Sequence, residues 1–187
     1  MKKEIKKIET IDDVKEKVDY KALKLKYKYQ KELTPKLDVL EADFNQEIIN
    51  EIVLWKVNRY ALIDEETLRL LNKIKKTDTE LDEDLTKQIL ERLLEKDQKG
   101  IQLAMASTIL RFKNPKIYQI IDQRVYRFIY GNEMEYSTSI DKQIKRYLEY
   151  LELLTIKCDL YKIPFEEADR VFYEADKEFN KDIPIKY

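Results

Sequence analysis

Histidine is absent from this chain of 187 residues, and cysteine occurs once, at Cys158. Without histidine, Ser-His-Asp and Cys-His nucleophile systems, HExxH zinc hydrolases and histidine metal clusters are excluded. A lone cysteine excludes an intrachain disulfide framework and an iron–sulfur cluster held by four thiolates. Glycine occupies two positions and proline four (Pro35, Pro115, Pro164, Pro184), which leaves few places for tight turns. Neither a Walker A loop nor GxGxxG occurs. No apolar run approaches the roughly 20 residues that a membrane span requires. The charged start MKKEIKKIET lacks the apolar centre of a secretory signal. The expected location is the cytoplasm. Any acid–base chemistry falls to carboxylates, Lys, Tyr or Cys158, with no cofactor and no metal expected.

What is present argues for an all-α fold, because Lys, Glu, Leu and Ile dominate. Residues 1–39 read as a basic N-terminal arm. Leu23, Leu25, Tyr27 and Tyr29 alternate with lysines at strand spacing, but no partner strand is legible elsewhere, so a helix is the preferred reading. Residues 40–187 read as a helical domain. Asp43 with Gln46 resembles a capping box ahead of an apolar face that includes Ile48, Ile52 and Trp55. Asp64 opens a helix expected to run to Lys76, with lysines at its carboxyl end. Leu85, Ile89, Leu90, Leu93 and Leu94 mark the next helix. Ser139 is placed to cap a long helix through Cys158 that stops before Pro164, and residues 166–180 form the last. Cys158, in helical register with Leu151 and Leu154, reads as a small buried apolar residue.

Charge is uneven despite a net value of −1. Residues 85–131 hold nine bases against four acids, a local +5, whereas residues 64–84 hold four bases against eight acids. The positive block coincides with residues 99–130, KGIQLAMASTILRFKNPKIYQIIDQRVYRFIY. In it an apolar helix follows Gly100 and ends at Asn114-Pro115. A short apolar link, 117–121, then delivers Asp122 to the head of a helix closed by Gly131. Phosphate contacts, if any, belong to this block.

This arrangement resembles the helix-hairpin-helix DNA glycosylase superfamily, in which a hairpin precedes a catalytic Asp at the start of a helix. The family hairpin reads Leu-Pro-Gly-Val-Gly; here it is Gln98-Lys99-Gly100-Ile101-Gln102, which keeps the first glycine and the apolar residue and lacks the second glycine. Ala106 matches the small residue that lets the two helices approach. Asp122, in Ile120-Ile121-Asp122-Gln123-Arg124, matches the family aspartate. The runs 51–59 (Glu-Ile-Val-Leu-Trp-Lys-Val-Asn-Arg) and 169–173 (Asp-Arg-Val-Phe-Tyr) are similar to bacterial 8-oxoguanine-glycosylase-like proteins, which places the chain in an outlying branch. The resemblance implies DNA as partner, phosphate contacts from Lys99, Gly100, Gln102, Arg124 and Arg127, and Asp122 as the catalytic carboxylate. Bifunctional members carry a Schiff-base lysine early in the second helix; the ungapped match is Ala104, so lyase chemistry is not expected. What remains is monofunctional excision, in which the carboxylate stabilises an oxocarbenium-like sugar and orients water.

Each residue also carries a plainer reading. Asp is among the commonest N-caps, and capping is compatible with catalysis. Arg124 and Arg127 are either phosphate ligands or solvated helix residues. Trp55, Tyr118 and Tyr126 are candidates to stack on an extruded base, although core packing is the stronger reading for Trp55. The second function consistent with the residues is a non-catalytic nucleic-acid or protein-binding module of the same fold. The resemblance also allows it a place in a bacterial antiviral system.

Overall fold

The computed structural model describes residues 30–39, 46–57, 61, 63–95 and 101–185. Among them the chain is all-helical, with eight α-helices and no strand. The arm at 22–29, the Asp43 capping position and the hairpin turn with Lys99 and Gly100 lie outside the described residues. Two compact units are present, Met1–Tyr60 and Ala61–Tyr187.

The first unit contains α1 (Leu33–Asp38) and α2 (Gln46–Val57). Leu33 is buried, the Trp55 indole N–H donates to Thr34 Oγ1 at 2.8 Å, and Lys36 pairs with Glu51. Trp55 is therefore half-buried, with its polar edge satisfied by a hydroxyl on α1.

The second unit contains α3 (Glu65–Leu71), α4 (Glu83–Leu94), α5 (Leu103–Lys113), α6 (Gln123–Tyr130), α7 (Ile140–Tyr161) and α8 (Ala168–Phe179), with a 3₁₀ turn at Phe165–Glu167. Local chemistry sets most helix starts. Asp64, Asp82 and Asp122 each accept the backbone N–H three residues on, at 2.8–2.9 Å, and Ser139 does so for Lys142 at 3.4 Å. These are the orphan donors of a helix N-terminus satisfied by side-chain oxygen. Gly131 ends α6 at φ +76°, a left-handed cap that glycine adopts without Cβ strain. The core joins Leu90 and Leu93 of α4, Ala106 and Leu110 of α5, Val125 of α6, Tyr147 and Leu154 of α7, and Phe172 of α8. Ala106 is fully buried, as a close helix approach requires. Cys158 is buried too, and burial pushes its thiol up to about 11.

One helix departs from expectation. The helix opened by Asp64 ends at Leu71 rather than reaching Lys76. Beyond it the Lys75 N–H, which a continuing helix would give to the Leu71 carbonyl, goes to Asp78 Oδ2 at 2.8 Å, and the buried Asn114 side chain donates to the carbonyls of Lys75 (2.7 Å) and Asp78 (3.0 Å). Those carbonyls form part of a turn that presents them to Asn114, and Lys113 Nζ donates to Asn72 Oδ1 at 2.7 Å alongside.

Candidate functional site

Asp122 sits where the link from α5 meets α6, and the link is held residue by residue. Tyr147 donates its hydroxyl to the Gln119 carbonyl at 3.0 Å, and Tyr150 donates to the Ile120 carbonyl at 2.7 Å. The Ile121 N–H donates to Ser107 Oγ at 3.2 Å, and that hydroxyl donates to the Ala104 carbonyl at 2.9 Å. Gln119, fully buried, donates to the Pro115 carbonyl at 2.7 Å and accepts from the Asp169 N–H at 3.3 Å. Burial raises the Tyr147 and Tyr150 hydroxyls well above the usual tyrosine range, so both stay protonated and able to donate. The two consecutive peptide groups from Gln119 to Ile121, ahead of Asp122, are thereby fixed by buried polar partners, whose loss would be costly.

The Asp122 carboxylate is half-buried and accepts from the Val125 N–H at 2.8 Å. Burial is the largest influence on it and lifts its carboxyl above the ordinary aspartate value. The N–H groups of Val125 and Arg124, and the Arg124 charge, pull downward without cancelling that rise. Asp169 adds to the upward push from α8. Asp169 is itself buried beside Arg111 (Nε to Oδ2, 3.4 Å), and neither carboxylate oxygen has a hydrogen-bond partner.

The sequence-predicted binding residues divide. Gln102 is exposed at the start of α5, without a side-chain capping bond, and Ala104 is exposed two residues along. Arg127 is buried instead: Nε and Nη2 grip Asp176 at 2.7 and 2.9 Å, and Nη1 donates to the Ile183 carbonyl at 2.9 Å. Arg124 shares Asp176 at 3.1 Å and lies 5.7 Å from the Tyr173 ring centroid. Tyr118 is 1% exposed, its hydroxyl 2.8 Å from Thr86 Oγ1, so in this conformation neither ring face is open to a base. Tyr126 is half-buried and stacked on Tyr130 at 4.2 Å. Trp55 belongs to the first unit.

The local +5 is also largely spoken for. Lys87 pairs with Glu83, Arg92 with Asp64, Arg111 with Asp169, and Arg124 and Arg127 with Asp176. Lys113 and Lys116 are the described lysines of this block outside ion pairs. A groove of about 740 Å³ along α4 and α7 carries five carboxylates (Glu83, Glu91, Asp141, Glu149, Glu152) against Lys87 and Lys145, a surface that repels phosphate. Among the described residues no group of three or more Cys, Asp or Glu is arranged to hold a metal ion. Nor is any helix there long and apolar enough to cross a membrane.

No family model, curated protein or solved structure matches this chain.

Proposed function

We propose that this chain is a DNA-binding, glycosylase-like protein of the monofunctional kind, with Asp122 as its reacting carboxylate. The observation that supports this reading is the fixing of residues 119–122, which holds a half-buried carboxylate at a helix start with almost no freedom to move. Preorganised negative charge is what an oxocarbenium-like sugar needs, because the stabilisation then costs no reorganisation as the charge develops. In the reaction the bond from C1′ to the base breaks, the base leaves with the bonding pair and takes a proton from solvent, and a water oxygen bonds to C1′. Asp122 orients that water and takes its proton, a role that suits a carboxyl lifted by burial. Ala104 offers no amine for a Schiff base, so the product is an abasic site in an unbroken strand.

Of the phosphate contacts that the resemblance assigns to Lys99, Gly100, Gln102, Arg124 and Arg127, we retain Lys99, Gly100, Gln102 and Arg124. Arg127 is not among them, since its donors serve Asp176 and the Ile183 carbonyl. The test is incubation of the protein with duplexes bearing oxidised, alkylated or deaminated bases. Strand breaks that need hot alkali are expected. Breaks without alkali would contradict the monofunctional mechanism, and intact strands on every duplex would contradict the enzyme.

A second reading, a non-catalytic module for nucleic acid or protein, is favoured by one observation: five of the nine bases in the positive block are paired with acids. Salt-dependent DNA binding without turnover supports the nucleic-acid form. Absence of DNA binding at low salt supports a protein partner.

A further inference from the structure

We propose that the recess between α6, the C-terminal half of α7 and α8 binds a small amphipathic carboxylate, an apolar chain ending in one anionic group. Its volume is about 470 Å³, inside the range of roughly 300–1,000 Å³ typical of small-molecule sites. Phe128 and Ile129 of α6 and Phe172 and Ala175 of α8 line it, with Lys157 and Tyr161 from α7. The Phe128 and Phe172 rings stand 6.0 Å apart, so the recess has an aromatic wall. No carboxylate is among the lining residues.

Lys157 decides the chemistry of the occupant. On a helix its neighbours three and four residues away are Leu153, Leu154, Leu160 and Tyr161, so no acid of α7 is placed to pair with it. Among the described residues it has no ion-pair or hydrogen-bond partner, whereas Lys145 and Lys177 are answered by Glu149 and Glu174. A half-buried ammonium beside an apolar recess attracts an anionic head and repels a cationic one. A single cation among apolar walls suits a monoanion with an apolar body. A nucleotide or phosphate chain, carrying several charges, would require more cations and more hydrogen-bond donors than this recess offers. The site shares no residue with the Asp122 site, so the two readings stand or fall separately.

Calorimetric titration of the full chain with sodium decanoate, decan-1-ol and decyltrimethylammonium tests the proposal. Decanoate is expected to bind about tenfold more tightly than the alcohol, as one charge-assisted contact at a partly exposed site allows, with the ammonium compound weakest. Lys157→Gln should abolish the preference for decanoate without moving the urea midpoint. Ala175→Leu, checked for native circular dichroism, should weaken decanoate and decanol together by filling the recess. Equal binding of all three amphiphiles, a preference that survives Lys157→Gln, binding untouched by Ala175→Leu, or no saturable decanoate binding below its micelle threshold would each overturn the proposal.

Discussion

Removing the Asp176 carboxylate is the sharpest perturbation of how α6 is held against α8. Asp176 is fully buried and accepts four hydrogen bonds: Arg127 Nε (2.7 Å), Arg127 Nη2 (2.9 Å), Arg124 Nη1 (3.1 Å) and Asn180 Nδ2 (2.9 Å). In Asp176→Ala the Arg127 guanidinium, 7% exposed, keeps the Ile183 carbonyl at 2.9 Å and a long contact to the Asn180 carbonyl at 3.4 Å. Removing one member of a buried ion pair costs about 3–5 kcal/mol, a large share of the roughly 5–15 kcal/mol that holds a domain of this size. Arg124 is more exposed and rehydrates, so it adds little. Urea unfolding followed by far-UV circular dichroism reads the loss, with Glu174→Ala on the same helix as an exposed ion-pair control whose midpoint should not move. The double variant Arg127→Met/Asp176→Leu should recover most of the stability, since it removes both members of the buried pair. A loss below about 1 kcal/mol in Asp176→Ala would mean that Arg127 reaches water, and the reasoning would fail. The pH dependence has a definite sign. Burial raises the Asp176 carboxyl, but its bonds to Arg127, Asn180 and Arg124 outweigh that and hold it below the ordinary aspartate value. Its contribution is therefore complete above pH ~4 and is lost as pH falls through the lower, folded value. Asp176→Asn should flatten that acid limb.

Three further outcomes follow from the geometry. Ionised Asp122 is disfavoured by burial, so its penalty is present above the raised folded value and vanishes at lower pH. At neutral pH Asp122→Asn, which keeps a capping oxygen, should melt at the wild-type temperature or slightly above it, while Asp122→Ala should lose about 1 kcal/mol with the cap. Tyr150→Phe leaves the Ile120 carbonyl without its donor and should cost about 1–3 kcal/mol in denaturant titration. Gly131→Ala places a Cβ that meets nothing within 4 Å, so its cost at φ +76° is conformational only, about 1 kcal/mol by thermal unfolding.

Helix class and most helix starts were legible because they depend on neighbours in sequence. Asp64, Asp122 and Ser139 each reach a backbone N–H three residues away, and the apolar spacing of 140–161 marks its inward face. The early end of α3 was only partly legible: Asp78, which takes the Lys75 N–H, is three residues away, but Asn114, which takes the Lys75 carbonyl, lies 39 residues on. The positive block misled for the same reason. Charges counted along the chain cannot show that Arg127 meets Asp176 49 residues on, or that Arg92 meets Asp64 28 residues back. The place of Asp122 at the head of α6 is legible from its local context, whereas the tyrosines that fix its approach come from α7 and carry no local signal of that task. Tyr118 looked available for stacking, but its ring packs in the core and its hydroxyl meets Thr86, 32 residues earlier.

The most direct test of Asp122 as the reacting group is binding and turnover measured side by side on Asp122→Asn. The same duplexes are used for both, at fixed low salt. The variant keeps a capping oxygen, so under the proposed function it is expected to bind damaged duplex as tightly as the wild type and to form no abasic sites. Abasic sites formed at the wild-type rate by Asp122→Asn would contradict the account.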